Sequence, residues 1–157
     1  MMSQRLRLFL FLVLLGPLAT CAASKSQEIP LSELTPTARQ EKTTVVVNKV
    51  LERFHYRKVP LNDELAAKIF DSYLEALDPN RSFFLQGDVS RFSRKAHRLD
   101  DDLKRGRLDA AFEVFRLYRQ RVDDRVAYAL SLLDQGFEFD SRERYQFDRT
   151  KANWAKD

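Results

Sequence analysis

The chain has 157 residues, 27 Lys and Arg against 23 Asp and Glu, a formal net charge of +4 and one cysteine. A lone cysteine excludes an intramolecular disulfide, so the fold has to be held by an apolar core. Two of the basic residues, Arg5 and Arg7, belong to an N-terminal leader; without them 25 basic residues face 23 acidic ones. That near balance argues against nucleic acid as a partner, because such proteins concentrate basic side chains on one face.

Arg5 and Arg7 precede an unbroken apolar run from Leu8 to Leu15, then Gly16-Pro17 and the small-residue stretch from Ala19 to Ser24. A positive start, a short apolar centre and small residues at the end are the pattern of a secretory signal peptide, read here as residues 1–23. A membrane span needs about 20 apolar residues and this run is interrupted first, so no stable membrane anchor is expected. Leu18-Ala19-Thr20-Cys21 has the outline of a lipoprotein site, with Cys21 acylated. Thr20 fits that pattern poorly, and cleavage near Ala23 is the favoured reading. Roughly 134 residues then remain, enough for one domain with a real core.

Residues 24–37 carry Pro30 and Pro36 with no hydrophobic period and read as an extended leader. Thr35-Pro36 resembles an N-cap followed by proline at the first helical position. Val47, Val50, Leu51 and Phe54 then fall on one helical face, and this period outweighs the strand propensity of the β-branched run Thr43 to Val47. Lys58 to Leu61 ends the helix, and Asn62, Asp63 and Glu64 supply a cap and an acidic first turn for the next.

Leu65, Ile69, Phe70, Tyr73, Leu74 and Leu77 line the face of that second helix, which Asp78-Pro79-Asn80-Arg81-Ser82 closes as a turn. Val89, Phe92, Ala96, Leu99 and Leu103 predict a third helix between Gly87-Asp88 and Gly106. A long fourth helix is expected from about Asp109 to Gln135. Its inward residues are expected to be Phe112, Phe115, Val122, Val126, Ala129 and Leu133, with Gly136 as terminator. The short Arg105 to Leu108 link makes helices three and four an antiparallel hairpin. The expectation is an all-α, antiparallel helical domain of about four main helices over residues 38–136.

Residues 137–157 differ in character. Asp140 and Glu143 are spaced like a capping box for a short helix through Tyr145 and Phe147. Phe137, Phe139, Tyr145, Phe147 and Trp154 are dense, large and without a long element to hold them, so they are expected to cover a body outside the chain.

Chemistry-bearing residues are few. His55 and His97 stand 42 positions apart with no cysteine or second histidine near either, so they read as surface residues and no metal or cofactor is expected. Asp100-Asp101-Asp102 cannot converge on one cation, because successive helical residues diverge by about 100°. Arg116, Arg119, Arg121 and Arg125 are interleaved with Asp123 and Asp124 and read as a salt-laced face, with Arg119 and Asp123 spaced as a surface pair. Ser93 and Lys95 lie two apart on a helix and point to different sides. Each of Gly87, Gly106 and Gly136 is explained by a helix boundary. No serine nucleophile with a base and an oxyanion-binding turn is found, and no catalytic residue is assigned.

Several stretches, in order, do carry a resemblance. They are His55-Tyr56-Arg57; Ala67-Lys68-Ile69-Phe70-Asp71-Ser72-Tyr73-Leu74 with Leu77-Asp78; Leu103-Lys104-Arg105-Gly106-Arg107-Leu108-Asp109; Tyr145-Gln146-Phe147-Asp148-Arg149; and Ala152-Asn153-Trp154-Ala155-Lys156-Asp157. Together they resemble the N-terminal domain of tail-specific, or C-terminal processing, proteases. That resemblance implies a periplasmic serine endopeptidase of Gram-negative bacteria, which grips apolar C-terminal tails with a PDZ domain and cleaves with a serine-lysine dyad.

It further implies that the helical domain is a scaffold around the PDZ and protease core, that residues 137–157 begin the junction to them, and that the substrates are envelope proteins, including penicillin-binding and murein-related ones. An adaptor protein is a further expected partner. The PDZ and dyad positions fall outside this chain, so it is expected to be inactive alone and to represent part of a longer product. The competing reading is a self-standing periplasmic helical chaperone or adaptor with an apolar groove between its helices.

Overall fold

A computed structural model describes residues 29–137, 140, 142 and 144–156. The expected signal peptide therefore lies outside the described residues, as do Phe139 and Glu143. Among those described there are five α-helices and no sheet: α1 (Ala38–Phe54), α2 (Asp63–Leu77), α3 (Gln86–Ala96), α4 (Leu99–Lys104) and α5 (Asp109–Gln135).

The segment before α1 is not wholly extended. Leu31–Glu33 makes a 3-10 turn, and Arg116 Nη1 donates to Leu34 O at 2.6 Å, tying the segment to α5. The N-cap of α1 is Thr37 and not Thr35. Its hydroxyl accepts the Gln40 N–H at 3.3 Å, while Gln40 Oε1 accepts the Thr37 N–H at 2.8 Å. That reciprocal pair satisfies two groups at the helix start, which Thr35-Pro36 could not do. At α2, Asn62 Oδ1 accepts the Leu65 N–H at 3.0 Å, the cap expected for it.

The expected third helix is two helices. α3 closes at Ala96, where the Arg98 N–H bonds back to Lys95 O at 3.1 Å, and α4 begins at Leu99. A new N-terminus is a favourable place for Asp100, Asp101 and Asp102, whose charges would be ill-suited to the middle of a helix dipole. The redirection brings α4 against both α1 and α2. Asn48 Nδ2 reaches Leu103 O at 2.5 Å, and Gly106 passes so close to α1 that a Cβ would lie 2.6 Å from Glu41 O. Gly106 also has φ +75°, so it ends the helix and permits the crossing at once.

The core comprises Phe70 and Leu74 of α2, Phe84, Phe92 and Ala96, and Val114 of α5, with Tyr73, Leu77, Leu99, Leu117, Tyr118 and Trp154 packed around it. Two ion pairs define how α5 lies on α3. Lys95 Nζ meets Glu113 Oε2 at 2.9 Å, and Arg121 Nε meets Asp88 Oδ2 at 2.8 Å. Moving forward along α3 from Asp88 to Lys95 runs backward along α5 from Arg121 to Glu113, so the two helices are antiparallel, as expected.

The inward face of α5 is displaced from the expected one. Val114 is buried and Leu117 and Tyr118 pack on the core, whereas Val126 and Leu133 are 51% and 60% exposed and Ala129 is exposed. The helix projects beyond α2 and α3, which have no length left to cover its second half. No described residue beyond Gln135 is helical, so the short helix expected through Tyr145 and Phe147 is absent. Asp148 instead organises a local turn, accepting from the Thr150 N–H and hydroxyl at 3.1 and 2.7 Å. Those two bonds hold the Asp148 carboxyl below its usual range.

Candidate interaction surface

The α2–α3 connection is built around Asp78, which is 1% exposed. Its carboxylate accepts three backbone N–H groups, from Ser82 at 2.8 Å, Phe83 at 2.8 Å and Phe84 at 3.0 Å. Buried amides at a chain reversal need partners, and one carboxylate supplies all three. Arg81 takes a left-handed φ of 49° in this turn, and its Nη1 donates to Ala152 O at 2.6 Å. Its guanidinium also stands 5.3 Å from the centre of the Trp154 ring, which packs nearly perpendicular to Phe84 with ring centres 6.0 Å apart.

Leu85 and Ala155 form an isolated parallel bridge, in which the Gln86 N–H donates to Ala155 O at 2.6 Å. Trp154 is therefore used inside the domain, not kept for an outside body as expected from sequence. Phe137, Tyr145 and Phe147 behave differently, at 56%, 61% and 82% exposed.

Asp88 anchors the start of α3. It accepts the Leu85 N–H at 3.1 Å and a two-pronged contact from Arg121, Nε at 2.8 Å and Nη2 at 3.0 Å. Burial pushes the Asp88 carboxyl upward, but the bonds from Arg121 and Leu85 outweigh it and hold the group below its ordinary value. Hydrogen bonding to Asp88 raises the Arg121 guanidinium further in turn.

The residues weighed for chemistry lie apart, and most of them are held by structural partners. Ser93 Oγ donates to Val89 O at 2.8 Å, while Lys95 pairs with Glu113. Asp100, Asp101 and Asp102 each take a separate cation: Lys104 at 2.8 Å, Arg105 at 3.7 Å and Arg107 at 2.5 Å. Asp100 is buried and not on a solvated face, and its bond from Lys104 lowers its carboxyl. His55 caps α1 with its backbone N–H and accepts the Arg57 N–H on Nδ1, and His97 is exposed. Of the four arginines of α5, Arg116 and Arg121 are anchored to Leu34 and Asp88 in other segments. Local bonding by Asp78 in its turn was expected and is found, with three amides on one carboxylate. The roles that sequence reasoning missed are the full reach of that carboxylate, the Asp88 anchor and Arg81. An acid at a helix end followed by Pro-Asn, and an acid three residues past a helix start, were the available signals.

What remains on offer is surface. The half-buried stripe of α1 is Glu41, Thr44, Val45 and Asn48, which faces α4 and Gly106. The apolar stripe that the sequence places on one face of α1 is left largely uncovered: Val47, Val50, Leu51 and Phe54 are 47%, 49%, 51% and 71% exposed, with Leu51 at its edge bordering the cleft toward Leu65 and Ile69 of α2. Val126, Leu130 and Leu133 on the projecting half of α5 add a second apolar stretch. Monomeric domains rarely leave large contiguous apolar stripes in water unless something binds them. No helix among the described residues is long and apolar enough to cross a membrane.

The arrangement defines a small all-α domain whose buried polar groups serve its own architecture and whose apolar helix faces are left for contact. The chain belongs to the tail specific protease N-terminal domain family, whose model matches residues 47–157. It is also similar to the tail-specific protease of Haemophilus influenzae, with 35% identity over 125 residues, covering 77% of this chain and 18% of that protein. The chain thus spans under a fifth of that relative's length.

Proposed function

We propose that this chain is the N-terminal helical scaffold of a tail-specific serine endopeptidase, exported by residues 1–23 to the periplasm of a Gram-negative cell. Residues 38–136 are its helical body, and residues 137–157 lead on toward a PDZ domain and a protease core. Those downstream domains recognise and cleave envelope proteins from their C-terminal tails, and the helical domain alone has no peptidase activity. The single observation that carries the reading is the largely uncovered apolar stripe of α1, Val47, Val50, Leu51 and Phe54. It lies on the outside of a folded domain of this family and is suited to pack on a larger body.

Amide hydrogen exchange tests this by comparing the chain alone with the same chain joined to its protease region. Slower exchange over residues 46–54 and 126–133 in the joined form is expected. Equal exchange in both forms would remove the scaffold role. If the chain alone is a monomer that suppresses aggregation of an unfolded client, the chaperone or adaptor reading takes its place. Export is checked by N-terminal sequencing of the periplasmic product, with a new N-terminus near residue 24 expected.

A further inference from the structure

A cavity of about 170 Å³ lies where α2, α3, α4 and α5 meet. We propose that it is a binding site for a small uncharged apolar ligand, of the size of a single aromatic ring or a comparable branched hydrocarbon.

The walls argue for that chemistry. Phe70, Phe92, Leu99, Leu103 and Val114 present carbon to the space. Its two polar-tipped residues are bonded to other partners: Tyr73 Oη donates to Ala111 O at 3.0 Å, and Lys95 Nζ is held by Glu113 at 2.9 Å. Burial also raises the Tyr73 phenol above its ordinary value, so that it stays neutral. A water molecule needs two to four polar partners to be held, and this lining does not supply them. Ordered water is a poor occupant, whereas hydrocarbon needs no polar partner there and leaves water on entering.

Size and shape point the same way. Protein cores leave few voids larger than a water molecule. Here Ala96, Ala110 and Ala111 border the space, each a position where a longer side chain would fill it. Apolar cavities of about 150 Å³ lined by aliphatic and aromatic side chains bind benzene. Access is from the side of Ile69, which is 37% exposed, and Lys95, whose side chain is 53% exposed. The site is separate from the outward stripe of α1, none of whose residues lines it.

The test is a titration of the methyl-labelled chain with benzene. Saturable shifts are expected at the methyls of Leu99, Leu103 and Val114, together with a rise in melting temperature that grows with benzene concentration. Ala111→Leu fills the space while leaving the carbonyl that Tyr73 uses, and should weaken binding at least about tenfold. Ile69→Trp, at a part-exposed position, should hinder entry with the fold intact and covers the case in which Ala111→Leu fails to fold. Shifts confined to Val47, Val50 and Leu51, or undiminished affinity in the folded variants, would overturn the assignment. So would loss of benzene binding when the protease region is attached, which would make the occupant a side chain of that region.

Discussion

Arg121 on α5 and Asp88 in the first turn of α3 are joined by two hydrogen bonds, of 2.8 and 3.0 Å, across 33 residues of sequence. The Asp88 carboxylate is 11% exposed and the Arg121 side chain 29%, so neither is a freely solvated surface charge. Substituting Arg121→Ala leaves that carboxylate without its main partner and should cost about 2 to 3 kcal/mol in urea unfolding. A change below about 0.5 kcal/mol would show that the pair contributes only as an exposed one does.

The same pair sets an acid limb in the stability profile. The folded Asp88 carboxyl titrates below its unfolded value, so the unfolded chain binds more protons in the interval between the two. Its contribution is complete above the unfolded value, near pH 4, and is lost as pH falls through the folded one. Asp88→Asn should therefore lower stability at pH 7 and flatten its pH dependence in the interval below about pH 4. An unchanged slope in urea titrations across that interval would contradict the assignment.

Asp78 offers a sharper case, because three N–H groups depend on it. Asp78→Ala leaves the amides of Ser82, Phe83 and Phe84 to find other partners and should cost about 3 to 5 kcal/mol. The tryptophan emission of Trp154, which packs on Phe84 and Arg81, should shift to the red in the same variant. A stable variant with unshifted emission would mean that the turn holds without the carboxylate.

Phenylalanines should sort by position and not by type. Phe84→Ala removes a ring that is 1% exposed and should cost about 3 to 5 kcal/mol, while Phe54→Ala, 71% exposed, should stay within about 0.5 kcal/mol in the chain alone. In the chain joined to its protease region, Phe54→Ala should become costly if α1 packs there. Paired thermal melts of the two forms measure the difference.

Gly106→Ala combines two penalties, a left-handed φ of +75° and an approach of 2.6 Å to Glu41 O. It should destabilise by more than about 1 kcal/mol and loosen α1, read as faster exchange at residues 41–48. Normal stability would mean that α1 can shift away at little cost.

Much of the helix pattern was legible because it depends on neighbours three and four residues away. The Asn62 cap, the Asp78 to Ser82 turn, the Gly106 and Gly136 stops and the span of α5 are all local events, decided by backbone partners within a turn. The break between α3 and α4 was not legible, since Phe92, Ala96, Leu99 and Leu103 keep a regular spacing straight through it. Nor was the role of Trp154, whose contacts are some 70 residues distant in Phe84 and Arg81.

By itself the sequence determined that this chain is helical, where most helices begin and end, and the family it belongs to, because capping, periodicity and motif order are written in adjacent residues. Only the tertiary structure decided which stripe of each helix turns inward. On α1 a mixed stripe of Glu41, Thr44, Val45 and Asn48 won that place over the greasier Val47, Val50, Leu51 and Phe54. The close crossing at Gly106 and the bond from Asn48 to Leu103 require small and polar groups on that side. Hydrophobicity marks a face for burial, but the partner that buries it is set by the path of the whole chain.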